Sequence, residues 1–166
     1  MDYVLRKIKL SDAEDIARAG NNKDVHKYLR NRFPYPYTLQ DAVYFINYCL
    51  NNNRELVYVI DIENKACGCI SLIFGDDIYF KSAEIGYWLD QKYWHKGIMS
   101  NAVKEFCSFI FENFDINRIS ANIISENIGS RKVLEKNGFK FEGIHKKKIY
   151  KDNRYMDEVT YALLRK

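Results

Sequence analysis

The chain has 166 residues, enough for one domain with a buried core. Apolar residues make up 47% and charged residues 29%, the balance of a soluble globular protein, which excludes a chain built from low-complexity tracts. The 26 basic against 22 acidic residues leave a net charge of +4, which argues neither for nor against an anionic ligand.

Residues 3–9, with Tyr3, Leu5 and Lys7 alternating against Val4, Arg6 and Ile8, predict a first strand. Ser11 and Glu14 have the spacing of a capping box, which predicts a helix running to about Gly20. A second short helix is expected around Asp24–Arg30. Both prolines of the chain fall in Phe33-Pro34-Tyr35-Pro36-Tyr37 and stiffen an extended loop there. Thr38 caps the next helix, whose apolar side carries Ala42, Phe45, Ile46 and Leu50. Leu56–Ile62, Cys67–Phe74 and Tyr79–Leu89 predict three strands of an antiparallel meander, joined at Glu63-Asn64-Lys65 and Gly75-Asp76-Asp77. Gly97 to Asn113 is a long amphipathic helix, with Ile98, Ala102, Val103, Phe106, Phe109 and Ile110 at helical spacing. Arg118–Ile124 is a strand, and Glu126–Lys136 a helix stopped by Asn137-Gly138. Phe139 to about Tyr150 and Tyr155–Leu164 close the chain as a hairpin across Lys151-Asp152-Asn153.

This order predicts a mixed α/β (α+β) sheet with helices packed against it, in a single domain over 1–166. The strand–helix–strand unit from 79 to 124 should place two parallel strands side by side through a right-handed crossover. The loop Tyr93-Trp94-His95-Lys96-Gly97-Ile98-Met99 joins a strand to a helix N-terminus. Free N–H groups and the helix dipole make such a junction ready for a phosphate, and ligands gather at this end of such sheets.

Four cysteines, at 49, 67, 69 and 107, lack the second close pair or histidine spacing of a zinc site and read as buried reduced thiols. No metal is expected. The opening Met1-Asp-Tyr-Val-Leu-Arg has no signal-peptide core, and no apolar run approaches the ~20 residues of a bilayer span. These features lead us to expect a cytoplasmic protein without a membrane partner. His26, His95 and His145 are scattered and read as surface or loop residues. The run His145-Lys146-Lys147-Lys148 reads as a solvated strand end, and nucleic acid is not an expected partner.

The run Ala83-Glu84-Ile85-Gly86-Tyr87-Trp88-Leu89-Asp90, the loop Tyr93–Gly97 and the stretch from Ser125 through Asn127 and Ser130 to Gly138-Phe139 together resemble the GNAT acetyltransferases. The similarity is greatest to the Rim-type ribosomal-protein N-terminal acetyltransferases. It extends over nearly the whole chain and includes the Pro-Tyr-Pro-Tyr loop and the closing Asn153–Glu158 stretch. The resemblance implies a GNAT fold of about seven strands, splayed between the fourth and fifth, with helices on both faces and acetyl-CoA as cosubstrate in the cleft. It implies that the amides of His95, Lys96, Gly97, Ile98, Met99 and Ser100 hold the pyrophosphate. The pantetheine would run along Tyr87, Trp88 and Leu89, with Asn127 bonded to it and Ser130 near the sulfur. Trp94, His95 and Met99 depart from the general glycine-rich loop, and Met99 occupies a position where small residues are usual.

Acetyl transfer to an amine requires a neutral amine, a donor for the oxyanion and a proton for the departing thiolate. Glu84 is the candidate base. Its other reading is an edge charge or a partner for an internal Arg or Lys. Many GNAT members carry an acidic Tyr four residues before the Gly-Phe pair, where this chain has Leu134. Ser130 is then the candidate donor to the sulfur, or else a hydroxyl bonded to its own helix. A backbone N–H near Trp88 or Leu89 is the expected oxyanion donor. Phe33, Tyr35, Tyr37, Tyr150 and Tyr155 are candidates for the wall of an acceptor pocket. The acceptor would be an amine, either a small molecule or a protein N-terminus. A GNAT-fold module that holds CoA without turnover is the alternative, and a homodimer is a possibility carried by the family.

Overall fold

The computed structural model describes residues 2–166. Seven strands form one sheet: β1 (Val4–Lys7), β2 (Glu55–Ile62), β3 (Lys65–Phe74), β4 (Ser82–Leu89), β5 (Arg118–Ile124), β6 (Lys140–Lys151) and β7 (Arg154–Leu164). Their order is β1-β2-β3-β4-β5-β7-β6, and every adjacent pair is antiparallel except β4–β5, which is parallel. The helices are α1 (Ala13–Gly20), α2 (Lys23–His26), α3 (Leu39–Asn51), α4 (Ile98–Asn113) and α5 (Ile128–Lys136). No helix among the described residues is long and apolar enough to cross a membrane.

Period-two alternation gives the sheet two apolar faces. Val57 and Val59 of β2, with Cys69 of β3, pack under α1 and α3 through Ile16, Ala42 and Ile46. Leu72, Ile85, Ile119, Ala121 and Tyr161 face the other way, onto Val103, Phe106 and Ile110 of α4 and Leu134 of α5. Two-residue turns at Glu63-Asn64 and Asp152-Asn153 have positive φ at both positions, the turn form that suits the twist of a hairpin.

β4 and β5 are the pair that matters for function. They are in register only at Ser82–Arg118, Ala83–Ile119 and Glu84–Ser120. Beyond Glu84 they part, although β4 continues to Leu89 and β5 to Ile124. This is the expected splay. β5 then takes β7 as its long antiparallel partner, from Arg118–Leu164 to Ile124–Glu158.

Several local expectations need correction. The Ser11/Glu14 capping box does not form. A short turn at Leu10–Asp12 comes first, and Asp12 accepts from the Lys9 N–H at 2.9 Å and from Arg6 through both its oxygens. A buried carboxylate with an arginine partner outweighs an exposed serine cap. The helix expected at Asp24–Arg30 is one turn, Lys23–His26, capped by Asn22. The strand expected from Tyr79 starts at Ser82, after a turn at Asp77–Tyr79. The helix expected from Glu126 starts at Ile128, because Asn127 caps it. Thr38 does cap α3, in a reciprocal pair with Asp41.

Gly68 lets β3 and β4 approach each other beside the splay. A Cβ there would lie 2.3 Å from the Trp88 carbonyl oxygen and 2.9 Å from the Leu89 Cα. Gly68→Ala is therefore expected to lower the unfolding free energy by about 1–3 kcal/mol, read from the denaturant midpoint. An unchanged midpoint would refute this close approach.

Candidate active site

The site begins with backbone groups that have no partner among the described residues. Asp90 N–H donates to the Cys67 carbonyl at 2.7 Å, so Cys67–Asp90 and Cys69–Trp88 are the closely bonded pairs of the β3–β4 ladder. Trp88 thus turns its N–H and C=O toward β3, whereas Tyr87 and Leu89 turn theirs toward the splay. The Leu89 carbonyl is taken by the Trp94 indole N–H at 2.8 Å. The Leu89 N–H and both Tyr87 groups remain facing the opening. Of the two N–H groups expected as oxyanion donors, that of Leu89 faces the opening and that of Trp88 faces β3.

The loop after β4 supplies the second set. His95 and Gly97 both have positive φ, 60° and 78°, and Gly97 is the N-cap of α4 without any side-chain cap. None of the backbone N–H groups from His95 to Ser100 finds an acceptor among the described residues; the first bond of the helix is Asn101 N–H to the Gly97 carbonyl, at 3.1 Å. A run of unclaimed amides curled at a helix start is an anion-binding concavity. Met99 packs partly against the core beneath the loop.

Two cavities meet at the splay. One, of about 630 Å³, is lined by His95, Gly97, Ile98, Met99 and Ser100 at one end and by Tyr87, Asn127 and Ser130 at the other. The second, of about 370 Å³, lies on the α1–α3 side and is walled by Phe33, Tyr37, Tyr44, Trp88 and Glu84. Tyr87, Trp88, Asn127 and Ser130 border both. A long phosphate-bearing ligand in the first cavity and a smaller one in the second would touch there.

Asn127 caps α5 by accepting the Ser130 N–H at 3.1 Å. Its amide nitrogen has no acceptor among the described residues and is available to a ligand. Ser130 is buried, and its hydroxyl lies 2.9 Å from the Tyr87 hydroxyl. Burial holds the Tyr87 phenol well above its ordinary range, so it keeps its proton at any physiological pH. The side chain of Tyr87 is a site residue that sequence reasoning missed, because β4 was read there only for its backbone. Its apolar-face alternation with Ile85 and Leu89 made it look like core.

Glu84 lies on the α1–α3 face of β4, at the point where the strands separate. Arg30 donates to one of its oxygens at 2.7 Å and Asn122 to the other at 3.0 Å. Asn122 in turn accepts from the Thr160 hydroxyl at 2.7 Å. The carboxylate lines the cavity and is held by Arg30, which is exposed rather than the internal cation of the alternative reading.

The aromatic wall is only partly as expected. Phe33 stacks on Tyr37 with ring centroids 4.2 Å apart and meets Trp88 edge-on at 5.3 Å. Tyr35 instead sits by His26, and Tyr150 and Tyr155 pack on each other at the exposed end of the hairpin. The basic run is largely compensated, because Lys146 pairs with Asp157 and Lys148 with Glu158. The four cysteines are free thiols, with Cys67, Cys69 and Cys107 buried.

Comparison with known proteins agrees with this geometry. Residues 3–140 match the family model described as an acetyltransferase (GNAT) domain. An uncharacterised N-acetyltransferase of Bacillus subtilis (strain 168), YnaD, is 29% identical over 161 residues, which are 97% of this chain and 92% of that protein. The structure of a ribosomal-protein-S5-alanine acetyltransferase from Vibrio fischeri superposes with a TM-score of 0.85 at 28% identity, covering 99% of this chain and 93% of the other. The microcin C7 self-immunity acetyltransferase MccE, solved with acetyl-CoA and AMP, gives a TM-score of 0.87 at 25% identity over 98% of this chain and 92% of its own. With its splayed sheet, its amide-lined loop and a family match over most of its length, the chain belongs to the GNAT acetyltransferases, and its relatives include enzymes of the Rim type.

Proposed function

We propose that this chain transfers the acetyl group of acetyl-CoA directly to a primary amine, within a ternary complex of the two substrates. The observation that carries the reading is the meeting of the two cavities at Tyr87, Trp88, Asn127 and Ser130, with a run of unclaimed amides at the far end of one. Acetyl-CoA supplies an activated thioester; the chain supplies everything else.

The amides of His95 to Ser100 bind the pyrophosphate, aided by the positive end of α4. Tyr87 and Leu89 offer main-chain partners to the pantetheine, and Asn127 adds its amide N–H. The Leu89 N–H, fixed by the β-ladder and needing no rearrangement, faces the carbonyl oxygen where negative charge develops. Glu84 takes a proton from the amine through water, which is needed because an ammonium has no lone pair to attack with. Ser130 delivers a proton to the departing sulfur and regains one from water in the cleft, while the Tyr87 hydroxyl, which keeps its own proton, holds the Ser130 hydroxyl in place. The acceptor amine enters through the aromatic cavity, from a small molecule or a protein N-terminus.

Three measurements test this reading. Acetyl-CoA at millimolar concentration is expected to raise the Tm, by mass action on the folded state; no shift would refute the assignment of the loop. Asn127→Asp keeps an oxygen for the α5 cap but loses the amide donor. It is expected to leave the Tm near the parent value and weaken CoA binding in calorimetry, whereas unaltered affinity would unseat Asn127. Glu84→Gln is expected to slow acetylation most at low pH, where unassisted amine deprotonation is rarest. An unchanged pH–rate profile would remove Glu84 from the role of base.

A further inference from the structure

Glu55 opens β2 and lines the aromatic cavity. It is 9% exposed. The other buried carboxylates have cations of their own: Asp12 pairs with Arg6 at 2.8 Å, and Asp90 with Arg18 at 3.1 Å. Glu55 forms no ion pair or side-chain hydrogen bond among the described residues. No fully enclosed side-chain oxygen among those residues lacks a partner, so the Glu55 carboxylate opens into the cavity. Burial and then the Glu55 charge push the neighbouring Cys49 thiol up to about 12. Arg30 and Arg32 also line the cavity, but Arg30 is paired with Glu84 and neither pairs with Glu55. A cavity-facing carboxylate without a cation of its own is open to a ligand that brings one.

Its position says which part of a ligand it meets. Glu55 is in register with Ile73 of β3, and Ile73 with Glu84 of β4. Paired residues on adjacent strands share a face, so both carboxylates point to the α1–α3 side. Two strand spacings put their backbones about 10 Å apart. Tyr44, Phe45 and Tyr48 of α3 line the cavity on the same side as Glu55, and aromatic faces favour a cation.

We propose that Glu55 is a specificity-determining residue that receives a second cationic group of the acceptor, an ammonium or guanidinium carried about 10 Å from the amine that is acetylated. The inference rests on the acetyl-transfer reading only for which end of the acceptor reacts. An elongated diamine and a peptide with a basic side chain near its N-terminus both carry this chemistry.

Calorimetry on the full chain tests it, with α,ω-diaminooctane against octylamine, and a short peptide bearing arginine against its alanine counterpart. The dication of at least one pair is expected to bind about tenfold to a hundredfold more tightly than its monocation, the range of a charge-assisted bond. The pair that shows the gain identifies the source. Glu55→Gln is expected to abolish the difference, to leave CoA affinity unchanged and to leave the Tm of the free protein equal or higher. Glu55→Ser provides a second variant for the binding measurement. Equal binding of dication and monocation in both pairs would overturn the proposal. So would a loss of Tm in Glu55→Gln matched by Arg32→Ala, which would make the exposed Arg32 an internal counter-ion. Absent CoA binding with a Glu55-dependent dication preference would sink the acetyl-transfer reading and leave this one standing.

Discussion

Everything at this site follows from a sheet that stops pairing. β4 and β5 share three registered positions and then diverge. Main-chain N–H and C=O groups are obligatory hydrogen-bonding groups, and a strand that loses its neighbour must offer them elsewhere. β4 is fixed on its other side by a full ladder to β3, so the unpaired groups of Tyr87 and Leu89 cannot relax. They present a rigid edge to any extended, amide-bearing molecule that enters. The loop at the end of the same strand repeats the device with the amides from His95 to Ser100. Binding as proposed relies on backbone geometry more than on side-chain identity, so His95 and Met99 are compatible with it where smaller residues are usual.

Side chains come into play where the two cavities join. Ser130 and Tyr87 face each other across the junction, one from the first turn of α5 and one from β4. On the opposite face of β4, Glu84 is held between Arg30 and Asn122. The strand thus separates the Ser130–Tyr87 hydroxyl pair from the Glu84 carboxylate, one on each side, which is the arrangement the proposed transfer uses. The aromatic wall of the second cavity comes from the loop before α3 and from α3 itself, elements that also cover the hydrophobic face of β2 and β3.

The strands were legible because a half-buried sheet writes a period of two into its sequence, and the parallel crossover followed from strand, helix, strand. The loop from His95 to Ser100 was legible as a junction, and the Asn127–Phe139 signature pointed to the family. What failed was local and has physical causes. Asp12 is better satisfied by Arg6 than α1 is by a serine cap. Tyr79 continues an apolar pattern but belongs to a turn. Glu55 escaped attention because a charged residue ahead of an apolar run reads as the end of a loop. Only the register with Ile73 and Glu84 reveals that it faces a cavity. Tyr87 escaped for the opposite reason, as an aromatic residue on an apolar face whose hydroxyl finds Ser130 only through a contact between distant parts of the chain.

The strand order has a consequence for how the protein is made. β1 to β4 follow one another as neighbours in the sheet, so most of that half forms from contacts near in sequence as the chain emerges. β5 is different. It holds β4 at three positions, and its long partner, β7, is synthesised after α5 and β6. Until residues 154–164 exist, the far wall of the cleft has no ladder to keep it in place. Lys151 reinforces the dependence, since its buried ammonium donates to the His26 and Leu29 carbonyls and ties the segment beside the acceptor cavity to the same hairpin. The far wall of the cleft is therefore the last part of the candidate site to be completed in biosynthesis.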